Sequence, residues 1–233
     1  MTQYRWATLL LLAVTVLVFS AVARAQTAPG LQEIAAYTGL HAAAAKGDAA
    51  EIARLAAAGA DVNKRDGRGR TPLMVAAHGR HVAAAKALIA AKADLSLLDS
   101  QAYDVITIAA VADDLAMLQL ALASGGNARA ITSPYKGTAL IAAAHLGHAE
   151  VVEALIAANA PLDHVNHLGW TALIEAIVLG DGGARHQATL AALIRGGADV
   201  NLADGQGVRP LTLATGRGYG RMADMLEAAG AKP

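Results

Sequence analysis

Thr138 to Ala160 reads TALIAAAHLGHAEVVEALIAANA, and its periodicity describes two short helices joined by a tight turn. Leu140, Ala143 and Ala144 fall on one face of the first. Val151, Val152, Leu155 and Ile156 form a second apolar stripe at helical spacing. Gly147-His148 separates the two, and Asn159-Ala160 closes the pair, because Asn tolerates the left-handed conformation that ends a helix. Such a hairpin cannot bury both stripes by itself. It needs copies on either side.

The chain supplies them. TALIEAI at Thr171 repeats TALIAAA at Thr138, and one period upstream Asp104 opens DVITIAA. Thr71 (TPLMVAA) and Thr38 (TGLHAAA) continue the series towards the N-terminus, while the last copy, Arg209-Pro210-Leu211, comes late after Thr171. A linker recurs as Gly59-Ala60-Asp61-Val62-Asn63, Lys92-Ala93-Asp94-Leu95-Ser96 and Gly197-Ala198-Asp199-Val200-Asn201. Helix, turn, helix and a Gly/Asp-rich connector, repeating about every 33 residues, form the ankyrin signature. From about Leu31 to Ala231 the chain resembles the ankyrin-repeat family, in six copies near 38–70, 71–103, 104–137, 138–170, 171–208 and 209–233.

The resemblance implies an all-α solenoid of about six helix-turn-helix repeats whose connectors form short β-hairpin-like fingers. Residues 26–37 are expected to be a leader and N-terminal capping segment, with Leu31 to Tyr37 a helix or half-repeat over the end of the stack. The last copy is expected to be the other cap, because a terminal repeat has no neighbour. The third copy diverges most, with Asp113-Asp114 at its turn and an extra residue in Ser133-Pro134-Tyr135-Lys136. The fifth carries an insertion within Leu179 to His186, expected to lengthen the turn between its helices.

The opening segment is of another kind. A basic start at Arg5, an uncharged apolar run from Ala7, and the small-x-small site Ala23-Arg24-Ala25 have the layout of a secretory signal peptide cleaved after Ala25. Even extended to Ala23, the uncharged run only reaches the short limit of the roughly 17–25 residues that span a bilayer. An uncleaved N-terminal membrane anchor is therefore the alternative. The segment resembles a bacterial signal, which points to the periplasm first and secretion second. The chain has no Cys, so neither disulfides nor lipid attachment at a cysteine arises.

Charge excludes some partners. Without Arg5 and Arg24 the chain carries 17 basic and 19 acidic residues, too balanced to attract nucleic acid or an anionic membrane surface. The only Phe, Phe19, falls in the export segment. The remaining core is therefore built almost wholly of Ala, Leu, Ile and Val, and its small residues let helices stack closely along a solenoid.

No pattern of catalysis emerges. A Gly-x-Ser-x-Gly elbow and a Cys nucleophile are both missing from the sequence. Gly180-Asp181-Gly182-Gly183 has no Lys-Ser/Thr after it and reads as a flexible turn rather than a phosphate cradle. Asp66, Asp99 and Asp204 recur once per connector and are expected to cap turns. The histidines form pairs three apart, His78/His81, His145/His148 and His164/His167, and a rival reading makes this an exported metal- or small-ligand-binding protein. The resemblance implies otherwise, since His81 and His148 sit where ankyrin repeats carry a turn histidine bonded to backbone across the turn.

What remains is surface. The resemblance implies that the fingers and first helices line a face that holds a partner protein. By position the finger residues are Arg65, Arg68, Arg70, Gln101, Tyr103, Tyr135, Lys136, His167, Trp170, Gln206 and Arg209; the first-helix exits add His78, Val111 and His145. Tyr103 and Trp170 stand just before a repeat start, with Arg70 and Arg209 read as matching them, at places the packing pattern leaves free. Tyr, Trp and Arg are the residues enriched at binding hot spots. The expectation is an exported, non-enzymatic, monomeric protein that binds another protein. It needs no cofactor, binds no nucleic acid, and meets a membrane only through its first residues if these are uncleaved.

Overall fold

The computed structural model describes residues 26–233; the segment read as an export signal, residues 1–25, lies outside the described residues. A short α1 (Leu31–Ala36) precedes six helix pairs. They are α2 (Gly39–Lys46) with α3 (Ala49–Ala57), α4 (Pro72–His78) with α5 (Val82–Ala90), and α6 (Val105–Val111) with α7 (Leu115–Ala123). Then come α8 (Ala139–Leu146) with α9 (Ala149–Ala157), α10 (Ala172–Val178) with α11 (Ala184–Arg195), and α12 (Pro210–Gly216) with α13 (Gly220–Ala228). Among the described residues there is no strand, only an isolated antiparallel bridge between Thr132 and Gly137. Nor is any described helix long and apolar enough to cross a membrane.

Four of the first helices start on a side-chain cap. The side-chain oxygens of Thr71, Asp104, Thr138 and Thr171 accept from the amide three residues on, pairing donors a helix start leaves orphaned. Pro72 and Pro210 occupy the first turns of α4 and α12, where no N–H is needed.

The first helices stack on one another in order, and the second helices form a layer behind them. One position recurs through the stack as Leu40, Leu73, Ile106, Leu140, Leu173 and Leu211, all buried in a single core that also holds Leu155. Truncating such a leucine to Ala costs about 2–5 kcal/mol. The end members Leu40 and Leu211 are the least covered of the six, as a stack with two ends requires.

Two expectations need correction. The insertion in the fifth pair lengthens a helix as well as a turn: α11 has 12 residues against 9 in α9. The extra residues continue the helical hydrogen bonding, so only Leu179 to Gly183 remain as turn. And of the two forms expected for Leu31 to Tyr37, α1 is a helix and not a half-repeat, since none of its residues is buried. It reaches instead to the fingers of the first connectors.

Four of the five fingers are built by one device, and in the third Ser133 Oγ accepts from Gly137 N. Asp66 Oδ1 accepts from the amides of Arg68 and Arg70, both at 2.8 Å. Asp99 does the same for Gln101 and Tyr103, Asn166 for Leu168 and Trp170, and Asp204 for Gln206 and Val208. Consecutive fingers are tied by backbone bonds: Ser100 N to Arg68 O, Ser133 N to Ala102 O, His167 N to Tyr135 O and Gly205 N to Gly169 O. The expected turn-capping role of these carboxylates is what the geometry gives.

The candidate protein-binding surface

The finger ladder and the ends of the first helices position the candidate residues, and they divide into two zones. In the first zone Arg70 is 1% exposed. Its Nε donates to Asp66 Oδ2 at 2.8 Å and its Nη2 to Glu33 Oε1 at 2.7 Å. Its own carbonyl lies 3.0 Å from His41 Nε2, and Tyr37 Oη donates to Asp66 Oδ2 at 2.6 Å. Burial pushes the Asp66 carboxyl up, but the hydrogen bonds from Tyr37, Arg70 and two backbone amides outweigh it and bring it down to about 2. Burial first, then Asp66, pushes the Tyr37 phenol well above its ordinary range. Beside them His78 is half-buried, and its Nε2 has no hydrogen-bond partner among the described residues. Burial, assisted by the charge of Arg70, holds this imidazole down to about 4, so it is neutral at pH 7.

The rest of this zone is engaged as well. Arg68 Nε donates to Glu33 Oε1 at 3.0 Å, and Gln101 Oε1 accepts from Thr27 N at 3.1 Å. Arg65 is exposed, yet its Nη1 donates to Leu98 O at 2.6 Å in the next connector. Tyr103 is 7% exposed and part of the core. Arg70 and Tyr103 are thus buried groups, which corrects the expectation that packing leaves both positions free. A buried guanidinium must be paired, and a leader that supplies Glu33 from far upstream is invisible to a pattern confined to the repeats.

The second zone is open. Trp170, Tyr135, His145 and Val111 are half-buried, and Lys136, His167 and Gln206 are exposed. So are the apolar Val165 and Leu168 on the same finger as Trp170, Ile131 on the one before, and Leu146 and Leu179 at the ends of α8 and α10. Arg209 is exposed, but it is the N-cap of α12 and donates Nη1 to Pro233 O at 2.9 Å. The position that matches Arg70, Tyr103 and Trp170 is Val208, one residue earlier. The alignment of Arg209-Pro210-Leu211 with Thr71-Pro72-Leu73 carried this signal.

One side chain missed in the sequence sits at the centre of the open zone. Glu175, on α10, is 5% exposed. Asn166 Nδ2 donates to its Oε1 at 2.7 Å, and His145 Nδ1 lies 3.3 Å from its Oε2. The signal was available: at the corresponding places in other repeats stand Val75, Ile108 and Leu213, and Asn166 replaces the Asp of the other fingers.

One histidine of each pair is bonded to backbone. Ala45 O lies 3.1 Å from His81 Nε2, and Ala110 O lies 2.9 Å from His148 Nδ1. His186 Nε2 reaches His145 O at 3.0 Å, and Tyr219 Oη donates to Gly180 O at 2.9 Å. His81, His148 and Tyr219 at the turns, and His186 on α11, therefore bond the end of the first helix in the preceding repeat, and His186 Nδ1 also lies 2.8 Å from Asp181 Oδ1 in its own turn. A helix leaves its last carbonyls unpaired, and these groups fill that need across the repeat boundary. His164 Nε2 lies 2.7 Å from Lys136 O. Among the described residues no group of three His, Cys, Asp or Glu is placed to hold a metal ion.

Comparison with known proteins adds the following. A family model described as ankyrin repeats (3 copies) matches residues 12–99, 40–130 and 106–204. The ankyrin repeat protein YahD of Escherichia coli K12 is 36% identical over 190 residues, 81% of this chain and 94% of that protein. An ankyrin repeat domain from Acinetobacter baumannii superposes with a TM-score of 0.79 at 42% identity, covering 83% of this chain and 98% of that one. A chain from the complex of the Bdellovibrio bacteriovorus predatory endopeptidase Bd0816 with the immunity protein Bd3460 gives a TM-score of 0.70 at 28% identity, covering 82% and 98%.

Proposed function

For a chain that belongs to the ankyrin-repeat family, we propose an exported, non-enzymatic role: it binds another protein on the open half of its finger face. Repeats of this family are in general interaction scaffolds rather than catalysts. The observation that carries the reading is the second zone. There Trp170, Tyr135, Val165 and Leu168 stand together on hydrogen-bonded fingers with their apolar area only partly covered. Aromatic side chains on a rigid support lose little entropy on binding and are the usual hot spots.

Two further features support the reading. A chain of the same fold takes part in an endopeptidase–immunity protein complex, so a macromolecular partner suits this architecture. The three-part layout of residues 1–25 supports export, to the periplasm or beyond it. The chain is taken to act as a monomer and without a cofactor.

Affinity capture from the exported fraction tests this, with the wild-type chain and Trp170→Ala side by side. A partner retained by the wild type should bind Trp170→Ala with a loss of more than about 1 kcal/mol, while the variant's thermal transition stays in place. Equal affinity of the two chains for the captured protein removes this face from the site. Edman sequencing of the exported chain should begin at Gln26; a retained Met1 would favour an N-terminal tether instead.

A further inference from the structure

Three of the candidate contact residues, Arg68, Arg70 and Gln101, are already engaged, and by the same piece of chain. Thr27 donates its amide to Gln101 Oε1 at 3.1 Å, and Arg70 Nη1 reaches Thr27 O at 3.4 Å. Glu33 Oε1 takes both Arg70 Nη2 at 2.7 Å and Arg68 Nε at 3.0 Å. The other oxygen, Oε2, accepts from Gly30 N at 2.8 Å, closing the start of α1. The backbone hydrogen bond from Gly30, and then Arg70, hold the Glu33 carboxyl below the usual carboxylate range. Gln26 buries its side-chain amide nitrogen. The leader thus runs over the fingers of the first repeats in the way a bound peptide would.

Yet the helix it carries is not part of the core. No residue of α1 is buried, and Leu31 is 88% exposed. Its polar hold on the stack is one carboxylate shared between two guanidiniums, together with the leader's contacts to Gln101 and Arg70; Tyr37, which bonds Asp66 and packs on the core, ends the segment. A segment with no buried residue in its helix opens at far less than the global cost of unfolding, and its exposed pair to Arg68 weakens with salt.

We propose that the Arg68–Arg70–Gln101 end of the finger face is a recognition site for a carboxylate-bearing segment of a partner protein, and that residues 26–36 are a strap holding it shut. The strap fills the site with the chemistry the site selects: an extended stretch paired to Gln101 and a turn of helix that delivers a carboxylate to two arginines. Planar guanidiniums suit carboxylates through directional, charge-assisted bonds. Because the strap is tethered, it competes as if present at about millimolar concentration, so a partner displaces it only with further contacts. The open half of the same face supplies those. This inference rests on the reading that the finger face binds a protein.

The test uses the chain from Gln26 to Pro233 without any partner, so its failure is separate from a failed capture. Hydrogen exchange at Thr27 and Gly30 is compared in the wild type and in Glu33→Gln. Both amides should exchange at least tenfold faster in the variant, and in the wild type at high salt, with Leu140 and Leu173 unchanged. A capped peptide of residues 26–37 is then titrated by two-dimensional NMR, which reads millimolar binding. It should bind the Glu33→Gln chain at least fivefold more tightly than the wild type, and shift Arg68 and Gln101. Adding Arg68→Ala to that chain should abolish the gain, as should replacing Glu33 by Gln in the peptide. Unchanged exchange in the variant, or equal peptide affinity for both chains, overturns the proposal.

Discussion

Asn166 donates its side-chain amide to Glu175 Oε1 at 2.7 Å, and each of these residues accounts for the other. In the fingers that begin with Asp66, Asp99 and Asp204, the residue nine places on is Val75, Ile108 or Leu213. Only where a carboxylate takes that place, at Glu175, does the finger start with Asn. A second carboxylate there would face the first in a buried site, and like charges so close cannot both remain ionised without large cost. Asn keeps the acceptor that closes the finger and adds the donor that Glu175 needs.

Asn166→Asp should therefore destabilise the chain by about 2–4 kcal/mol in urea titration at pH 7. Combining it with Glu175→Val should restore most of the loss, because the pair then matches the Asp66 and Val75 arrangement. An additive double variant would mean that the two sites are independent.

Acid should weaken the first zone in two steps. His78 has an ordinary value of 6.5 and is held at about 4 when folded, by burial and then by Arg70. The unfolded chain binds more protons between those values, so stability is full above about pH 6.5 and falls as the pH drops through that window. A second loss follows below about pH 4, as Asp66 protonates towards its folded value of about 2. Replacing His78 by Leu should remove the first step, on the order of 2 kcal/mol; an unaltered stability profile across that first window would refute it.

The cross-repeat turn bonds differ in worth. His148 is buried and its Nδ1 lies 2.9 Å from Ala110 O. His148→Ala removes the shortest bond to a carbonyl that otherwise keeps only a long backbone contact from Asp113 N at 3.4 Å, and should cost about 1–3 kcal/mol. Arg80, which donates Nη2 to Ala112 O at an exposed site, should cost less than about 1 kcal/mol when truncated. Chemical denaturation of the two variants in parallel gives the comparison, and equal costs would reverse the argument.

Gly169 adopts φ of +78°, and a Cβ there would lie 2.7 Å from the backbone of Gly205. The side chain would push the fourth and fifth fingers apart and break the bond from Gly205 N to Gly169 O. Gly169→Ala should lower stability by about 2 kcal/mol or more. Gly216 lies in open space with ordinary backbone; Gly216→Ala should be neutral or slightly stabilising, and a Tm scan distinguishes them.

The repeat pattern was legible because it is written in local terms. Thr71, Thr138 and Thr171 cap helices using only their own side chains and the next three residues. Leu140, Leu155 and Leu173 mark apolar faces by helical spacing alone. Of the candidate surface, Trp170, Tyr135, Lys136, His167 and Gln206 could be placed on fingers by counting from a repeat start. Arg209 was misplaced on a finger, although Arg209-Pro210-Leu211 lines up with Thr71-Pro72-Leu73 and so puts it at the cap of α12, where the structure has it.

Other features depend on chain segments that meet only after folding. Arg70 reads as a free surface arginine until Glu33 and Thr27 arrive from outside the repeat pattern. Glu175 stands in the sequence at a place filled by Val75, Ile108 and Leu213 in other repeats, but its partners Asn166 and His145 meet it only in the fold. The sequence alone determined the period, the causes of the helix boundaries and the stacked apolar spine, since these follow from spacing and capping along one stretch of chain. The tertiary structure alone decided which half of the finger face is covered and which is open, since that depends on groups brought together from residues up to 74 positions apart.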